Sequence, residues 1–218
     1  MLSALVKRNA ETAKYDSRAK LVGIGLGICT NARAAGCVLR NCSMAFGCGP
    51  VGLSTVALVK LSGALTISAV DINEYRLKIA QKMGASKIIN STTTDPVEDI
   101  HRNTEGHGAG LVLEMSGNDH AIKQAFRVVR NGGTVVLFGI PSKEVLLNIA
   151  DDIIFKETHV LGIVGREMFR TWYRLESLLK TRKLNLDPLI THRMNLEKLE
   201  DAMTLIGSGN CGKILLTT

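Results

Sequence analysis

Residues 47–52 read Gly-Cys-Gly-Pro-Val-Gly, three glycines at the spacing GxGxxG. Alone that spacing is weak, but its surroundings sharpen it. The apolar run Ser43–Phe46 precedes it, a helix-compatible stretch Val51–Leu61 follows, and Asp71 closes a second apolar run nineteen positions beyond Gly52. A strand, a glycine turn, a helix and a distal acid together form the fingerprint of a dinucleotide site. Gly47 permits the tight turn out of the strand, Gly49 lets the backbone approach a pyrophosphate, and Gly52 lets the helix pack closely. The helix start then offers free N–H groups and a partial positive charge to the phosphates. Asp71 can accept hydrogen bonds from the adenine ribose hydroxyls. It would oppose a 2′-phosphate, because two charges about 4 Å apart at an effective dielectric near 20 interact by roughly 4 kcal/mol. Arg76, one helical turn on, softens that repulsion or stacks on the adenine. These residues predict NAD rather than NADP, with helix capping as a second role for Asp71.

Two rival owners of a glycine turn fare worse. An adenosylmethionine-binding methyltransferase has no use for the phosphate-compatible Pro-Val-Gly52 helix start. A short-chain dehydrogenase needs Tyr-x-x-x-Lys, whereas Tyr15, Tyr75 and Tyr173 are followed four places later by Ala19, Ile79 and Ser177.

The elements that must hold this motif alternate. Strands are expected at Ser43–Phe46, Leu65–Val70, Lys87–Asn90, Leu111–Met115, Thr134–Phe138 and His159–Val164. Helices are expected at Val51–Leu61, at Glu74–Met83 closed by Gly84, after Asp95-Pro96, from about His120 to Arg130, and briefly at Asp151–Lys156. Such alternation predicts an α/β fold, a Rossmann doubly wound parallel six-stranded sheet in the order 3-2-1-4-5-6. Residues 43–182 form this NAD-binding domain. Residues 1–42 are an atypical segment without clear period. Residues 183–218 read as strand, helix, strand (Leu189–Arg193, Leu196–Ile206, Lys213–Leu216), a small remnant of a second domain.

The 218 residues are 45% hydrophobic and 22% charged, ordinary for a globular chain, with a net charge of +7. Residues 1–42 hold seven Lys and Arg against Glu11 and Asp16, so five of those seven charges lie there. Only Tyr15 interleaves with them, which argues against a nucleic-acid surface. No apolar run approaches the roughly 20 residues of a membrane helix. The opening residues lack a secretory core, and Glu11 and Asp16 weaken a mitochondrial presequence. Five cysteines form no CxxC pair, which suggests reduced thiols and a cytoplasmic setting.

Five stretches carry a resemblance: GCGPVGL (47–53), DINEYRLKIAQKMGA (71–85), LEMSG (113–117), GIVGREMFRTWY (162–173) and ITHRM (190–194). From about Ala45 to Thr217 the chain resembles the cofactor-binding half of the zinc-type medium-chain dehydrogenases, nearest to their L-threonine-oxidising branch. GREMF is more particular to that branch than the glycine turn, which all relatives share. The resemblance implies NAD contacts at Val51, Asp71, Arg76, Phe138, Gly139, Ile140, Ile163 and Val164, the last through its backbone because a tyrosine is the family's residue there. It implies oxidation of a secondary alcohol, L-threonine to 2-amino-3-ketobutyrate, with hydride passing to NAD. It also implies homo-oligomers through the sixth-strand edge, Val160–Val164.

The family's catalytic zinc sits in a preceding domain on a cysteine and a later His-Glu pair. No histidine occurs here before His101, and the cysteines are not closely spaced. No zinc ligand and no catalytic residue is therefore assigned. The chain is expected to bind NAD without oxidising threonine at a family-like rate, with a non-catalytic NAD-binding module or subunit as the alternative. The onset of resemblance near Ala45 reads as a truncated or frame-disrupted gene product, before a splice form or a dedicated binding protein. His192 reads as structural, His101 and His107 as solvated, and Met168 and Trp172 as core or subunit contacts. Glu114, the one carboxylate in an apolar strand, is a candidate to pair with a lysine and is assigned no role.

Overall fold

The computed structural model describes residues 42–164 and 170–217. Its centre is a six-stranded parallel sheet in the order β3-β2-β1-β4-β5-β6, the order expected. The elements run β1 (Cys42–Phe46), α1 (Pro50–Leu61), β2 (Thr66–Asp71), α2 (Glu74–Lys82), β3 (Lys87–Asn90), α3 (Pro96–Asn103) and β4 (Ala109–Glu114). They continue with α4 (Asp119–Val128), β5 (Val129–Leu137), β6 (His159–Gly162) and α5 (Arg170–Lys180). A separate parallel pair, β7 (Ile190–Asn195) and β8 (Lys213–Thr217), flanks α6 (Leu199–Ser208).

Alternation along each strand sorts the core into two layers. Ala45, Ala69, Leu111 and Leu113 face one side and meet Leu53 and Val56 of α1, Leu77 of α2 and Leu175 of α5. Met44, Phe46, Val70 and Val112 face the other and meet Ile100 of α3 and Phe126 of α4. Helices on both faces explain why these strands read as continuous apolar runs. Leu184, Leu186 and Leu189 are buried in the first layer, which fastens the chain after α5 against the sheet's own core.

Local chemistry sets the helix starts. Pro50 opens α1, Asn73 caps α2 by accepting the Arg76 N–H at 3.1 Å, and Asp95 caps α3 by accepting from Val97 at 2.8 Å. The cap on α2 is therefore Asn73, two residues beyond the expected Asp71.

Several boundaries depart from the sequence reading. The helix expected to reach Arg130 stops at Val128, and β5 begins at once with Val129. Both valines are buried and β-branched, which favours the strand. The register then jumps from Ala109 opposite Val129 to Leu111 opposite Thr134, so residues 130–133 bulge where β4 has only Gly110. Strand β4 starts at Ala109 and stops one residue before Met115, β6 stops at Gly162, and the helix expected at Asp151–Lys156 is a π-helical turn at Ala150–Ile154.

Candidate cofactor-binding site

The carboxyl ends of β1, β2 and β4 border an open cleft of about 590 Å³. It lies where the sheet order reverses between β1 and β4, the crevice such sheets offer to ligands. Gly47, Gly49, Asp71 and Arg76 line it together.

The glycine turn is built as its spacing predicts. Gly47 has φ +90°, a conformation that side chains rarely adopt, and its N–H donates to the Val70 carbonyl at 2.9 Å. A Cβ on Gly52 would fall 1.8 Å from the Gly47 oxygen, so only glycine fits beneath the turn. A Cβ on Gly49 would meet nothing within 4 Å, and a side chain there would occupy space a ligand could enter. Among the described residues no side chain caps α1, and no acid lies in its first turn. The first N–H groups of the helix, at Val51 and Gly52, thus keep the dipole's positive end uncompensated.

Asp71 ties this turn to the next element. One carboxylate oxygen accepts the Cys48 N–H at 2.6 Å, and the other accepts the Asn73 N–H at 2.9 Å. Two bonds leave acceptor capacity on both oxygens. The Arg76 guanidinium lines the same cleft, with its Nε buried and unpartnered among the described residues. Beneath the turn the Cys48 thiol is buried, and burial first, then the Asp71 charge, pushes it far above its ordinary range against a smaller pull from Arg76.

The opposite wall was not anticipated. Met115, Ser116, Asn118, His120 and Gln124 line the cleft from the loop after β4 and the start of α4. The Asn118 side chain caps α4 by accepting from His120 and Ala121 at 3.0 and 3.2 Å, and an Asn-Asp pair ahead of an apolar periodicity could have signalled it. The other five expected residues sit beyond this wall. Phe138 and Gly139 donate their N–H groups to the Glu114 carbonyl at 2.8 and 3.1 Å, and Ile163 donates to Leu137 at 3.0 Å. Ile140 and Val164 are 83% and 87% exposed past the ends of β5 and β6. They form a rim along the strand ends rather than part of the cleft around Asp71.

Among the described residues Glu114 pairs with no lysine. Its buried carboxylate accepts from the Ser116 and Gly117 N–H groups and the Ser116 hydroxyl. His192 lies in β7 with Nδ1 2.9 Å from the Thr191 hydroxyl, and His101 Nδ1 is 3.1 Å from the Gly106 carbonyl, while His107 is exposed. Met168, the Trp172 side chain and residues 1–41 fall outside the described residues. Among the described residues no three His, Cys, Asp or Glu side chains gather as a metal site.

Residues 50–181 match the family model described as zinc-binding dehydrogenase. The chain belongs to the zinc-binding dehydrogenase family. It is 47% identical over 171 residues to L-threonine 3-dehydrogenase of Symbiobacterium thermophilum, covering 78% of this chain and 49% of that one. The same enzyme of Bacillus licheniformis is 44% identical over 170 residues, with the same shares. Benzyl alcohol dehydrogenase from Acinetobacter calcoaceticus superposes with a TM-score of 0.81 at 28% identity, over 89% of this chain and 54% of that one. The chain spans about half the length of the curated relatives it matches.

Proposed function

We propose that this chain binds NAD across the carboxyl ends of β2, β1, β4, β5 and β6, as the cofactor-binding half of an L-threonine 3-dehydrogenase-like enzyme. The observation that carries the reading is the Asp71 carboxylate, fixed by the Cys48 and Asn73 N–H groups at the mouth of a glycine turn with an uncapped helix behind it. The described residues fit a dinucleotide. The uncapped start of α1 would hold the pyrophosphate, Asp71 would accept the adenosine ribose hydroxyls, and Arg76 would lie against the adenine. Gly139, Ile140, Ile163 and Val164 would contact the nicotinamide half, through backbone at Val164. Bound NAD would supply the acceptor for a hydride leaving the carbinol carbon of L-threonine or another secondary alcohol. The protein's part is to bind and orient that acceptor.

The described residues do not fit a zinc site, so no step is assigned to a metal. These 218 residues are proposed to hold NAD without oxidising threonine at a family-like rate. The non-catalytic module remains the second reading, supported by the lack of any histidine before His101. Residues 43–182 would be the NAD domain and 183–218 the returning segment. The unpaired Cys42, Cys48 and Cys211 support a reducing, cytoplasmic setting.

Fluorescence titration with NADH and NADPH tests the cofactor. Saturable binding that favours NADH is expected. Asp71→Ala should weaken NADH by about tenfold or more, the scale of a charged hydrogen bond lost. The same change should narrow the preference over NADPH by removing a repulsion of up to about 4 kcal/mol. A folded wild-type chain that binds neither would sink the reading, and zinc-dependent turnover would overturn the second half of it.

A further inference from the structure

Two segments of the cleft and the adjoining rim converge on a group that the proposed cofactor contacts do not use. Glu114 is 0% exposed at the carboxyl end of β4, paired in register with Phe46 of β1. Its Oε1 accepts the Ser116 N–H at 2.8 Å, the Gly117 N–H at 3.1 Å and the Ser116 hydroxyl. Its Oε2 is 3.2 Å from the same Gly117 nitrogen. Its main-chain oxygen accepts from Phe138 and Gly139. The Ser116 hydroxyl in turn accepts the Asn118 N–H at 3.1 Å, and Asn118 caps α4.

Close approaches join these segments to the glycine turn. A Cβ on Gly47 would lie 3.0 Å from the Ser116 nitrogen, and one on Gly139 would lie 2.7 Å from Glu114 Oε2. Displacing Ser116 therefore moves the wall that faces Gly47, and displacing Gly139 moves the rim.

Burial of a carboxylate costs several kcal/mol unless its partners compensate. The rest of β4, Ala109–Leu113, is apolar, so a filler at this position would be apolar as well. Instead a carboxylate stands there, satisfied by the N–H and O–H donors of the loop it precedes. Charge-assisted bonds of this kind are the stronger and more directional sort.

We propose that Glu114 is a positioning residue for the cofactor cleft, setting through Ser116 and Gly117 the gap between the glycine turn and the loop from β4 to α4. The proposal rests on the reading that the cleft takes NAD. Glu114 touches no ligand itself. It determines whether Ser116 and Asn118 stand where the dinucleotide needs them.

The test compares wild type, Glu114→Gln, Ser116→Ala and the double variant by NADH titration, each with a thermal melt. Glu114→Gln keeps the shape but places an amide donor among N–H donors. It should melt cooperatively and bind NADH about tenfold more weakly, the scale of one charged hydrogen bond. Ser116→Ala should weaken binding about threefold, the scale of one neutral hydrogen bond. If Glu114 acts through Ser116, the double variant binds no more weakly than Glu114→Gln, a coupling that a merely structural role would not produce. Wild-type affinity in Glu114→Gln, or losses that simply multiply in the double variant, overturns the proposal. Should Glu114→Gln fail to fold, unchanged NADH affinity in Ser116→Ala overturns it and the threefold loss supports it. A folded wild type that binds no dinucleotide overturns the cofactor reading and this inference together, whereas failure confined to the variants overturns this inference alone.

Discussion

The peptide N–H of Cys48 donates to Asp71 while its thiol is sealed beneath the turn, 3.8 Å from the Val70 carbonyl. Burial, reinforced by the Asp71 charge and opposed by Arg76, keeps that thiol protonated in the folded protein far above the ordinary range. The unfolded chain gives up the proton near the usual thiol value of about 8.5. Above that pH the folded state binds more protons than the unfolded one, so stability falls by about 1.4 kcal/mol per pH unit. Below it the thiol contributes no slope. Urea unfolding of wild type and Cys48→Ala between pH 8 and pH 10 isolates the effect, since every other group cancels in the difference. Parallel pH profiles would show that the thiol is not sealed. Residue spacing pointed to Gly47, Gly49 and Asp71, which line the cleft, and to Gly52, which packs against the turn. Spacing could not reveal Ser116 or Glu114, whose meaning comes from contact with Gly47 and Gly139 across long stretches of chain.

Strand and helix periodicity gave the six strands and their order, because a sheet covered on both faces writes long apolar runs between glycine stops. It failed at the junction of α4 and β5, where the decisive partner lies far along the chain. The Lys156 ammonium donates to the Phe126 and Arg127 carbonyls at 2.7 and 3.1 Å, the orphan acceptors at the end of α4, and its own carbonyl accepts the Gly132 N–H at 2.7 Å. One residue thus ends the helix and holds the bulge at residues 130–133. Burial keeps its ammonium below the usual lysine value, with Asp152 pulling the other way. Lys156→Met keeps most of the apolar stem but removes the donors and the charge at the helix end. It should cost about 1–2 kcal/mol of stability from hydrogen bonds and dipole together. Denaturant melts measure it. A loss below about 0.3 kcal/mol would mean that water replaces the ammonium without penalty.

The assembled sheet has two edges, and they are treated differently. β3 is four residues long, and Lys87 at its start is paired with Asp99 at 2.7 Å; such short, charged edges resist pairing with another chain. The opposite edge, β6, has no comparable guard among the described residues. Val160 in it is 39% exposed, and the segment entering it leaves Phe155 74% exposed beside half-exposed Ile154 and Ile149. Among the described residues no helix is long and apolar enough to cross a membrane. A second copy of the chain pairing β6 to β6 would extend the sheet and bury both rows of main-chain groups. Self-association through this edge is the outcome to test, and Val160→Lys would place two like charges at such a seam. The dissociation constant of such a dimer should rise by up to about fivefold, since a like-charge pair across strands costs up to about 1 kcal/mol. Sedimentation equilibrium of both proteins, with NADH affinity measured alongside, separates the possibilities. A dimer that Val160→Lys splits while NADH binding persists would place the seam at β6 and show that each cleft is complete within one chain. A dimer indifferent to Val160→Lys would move the seam elsewhere, and a wild type that stays monomeric would mean the exposed edge is covered by other chains or by none.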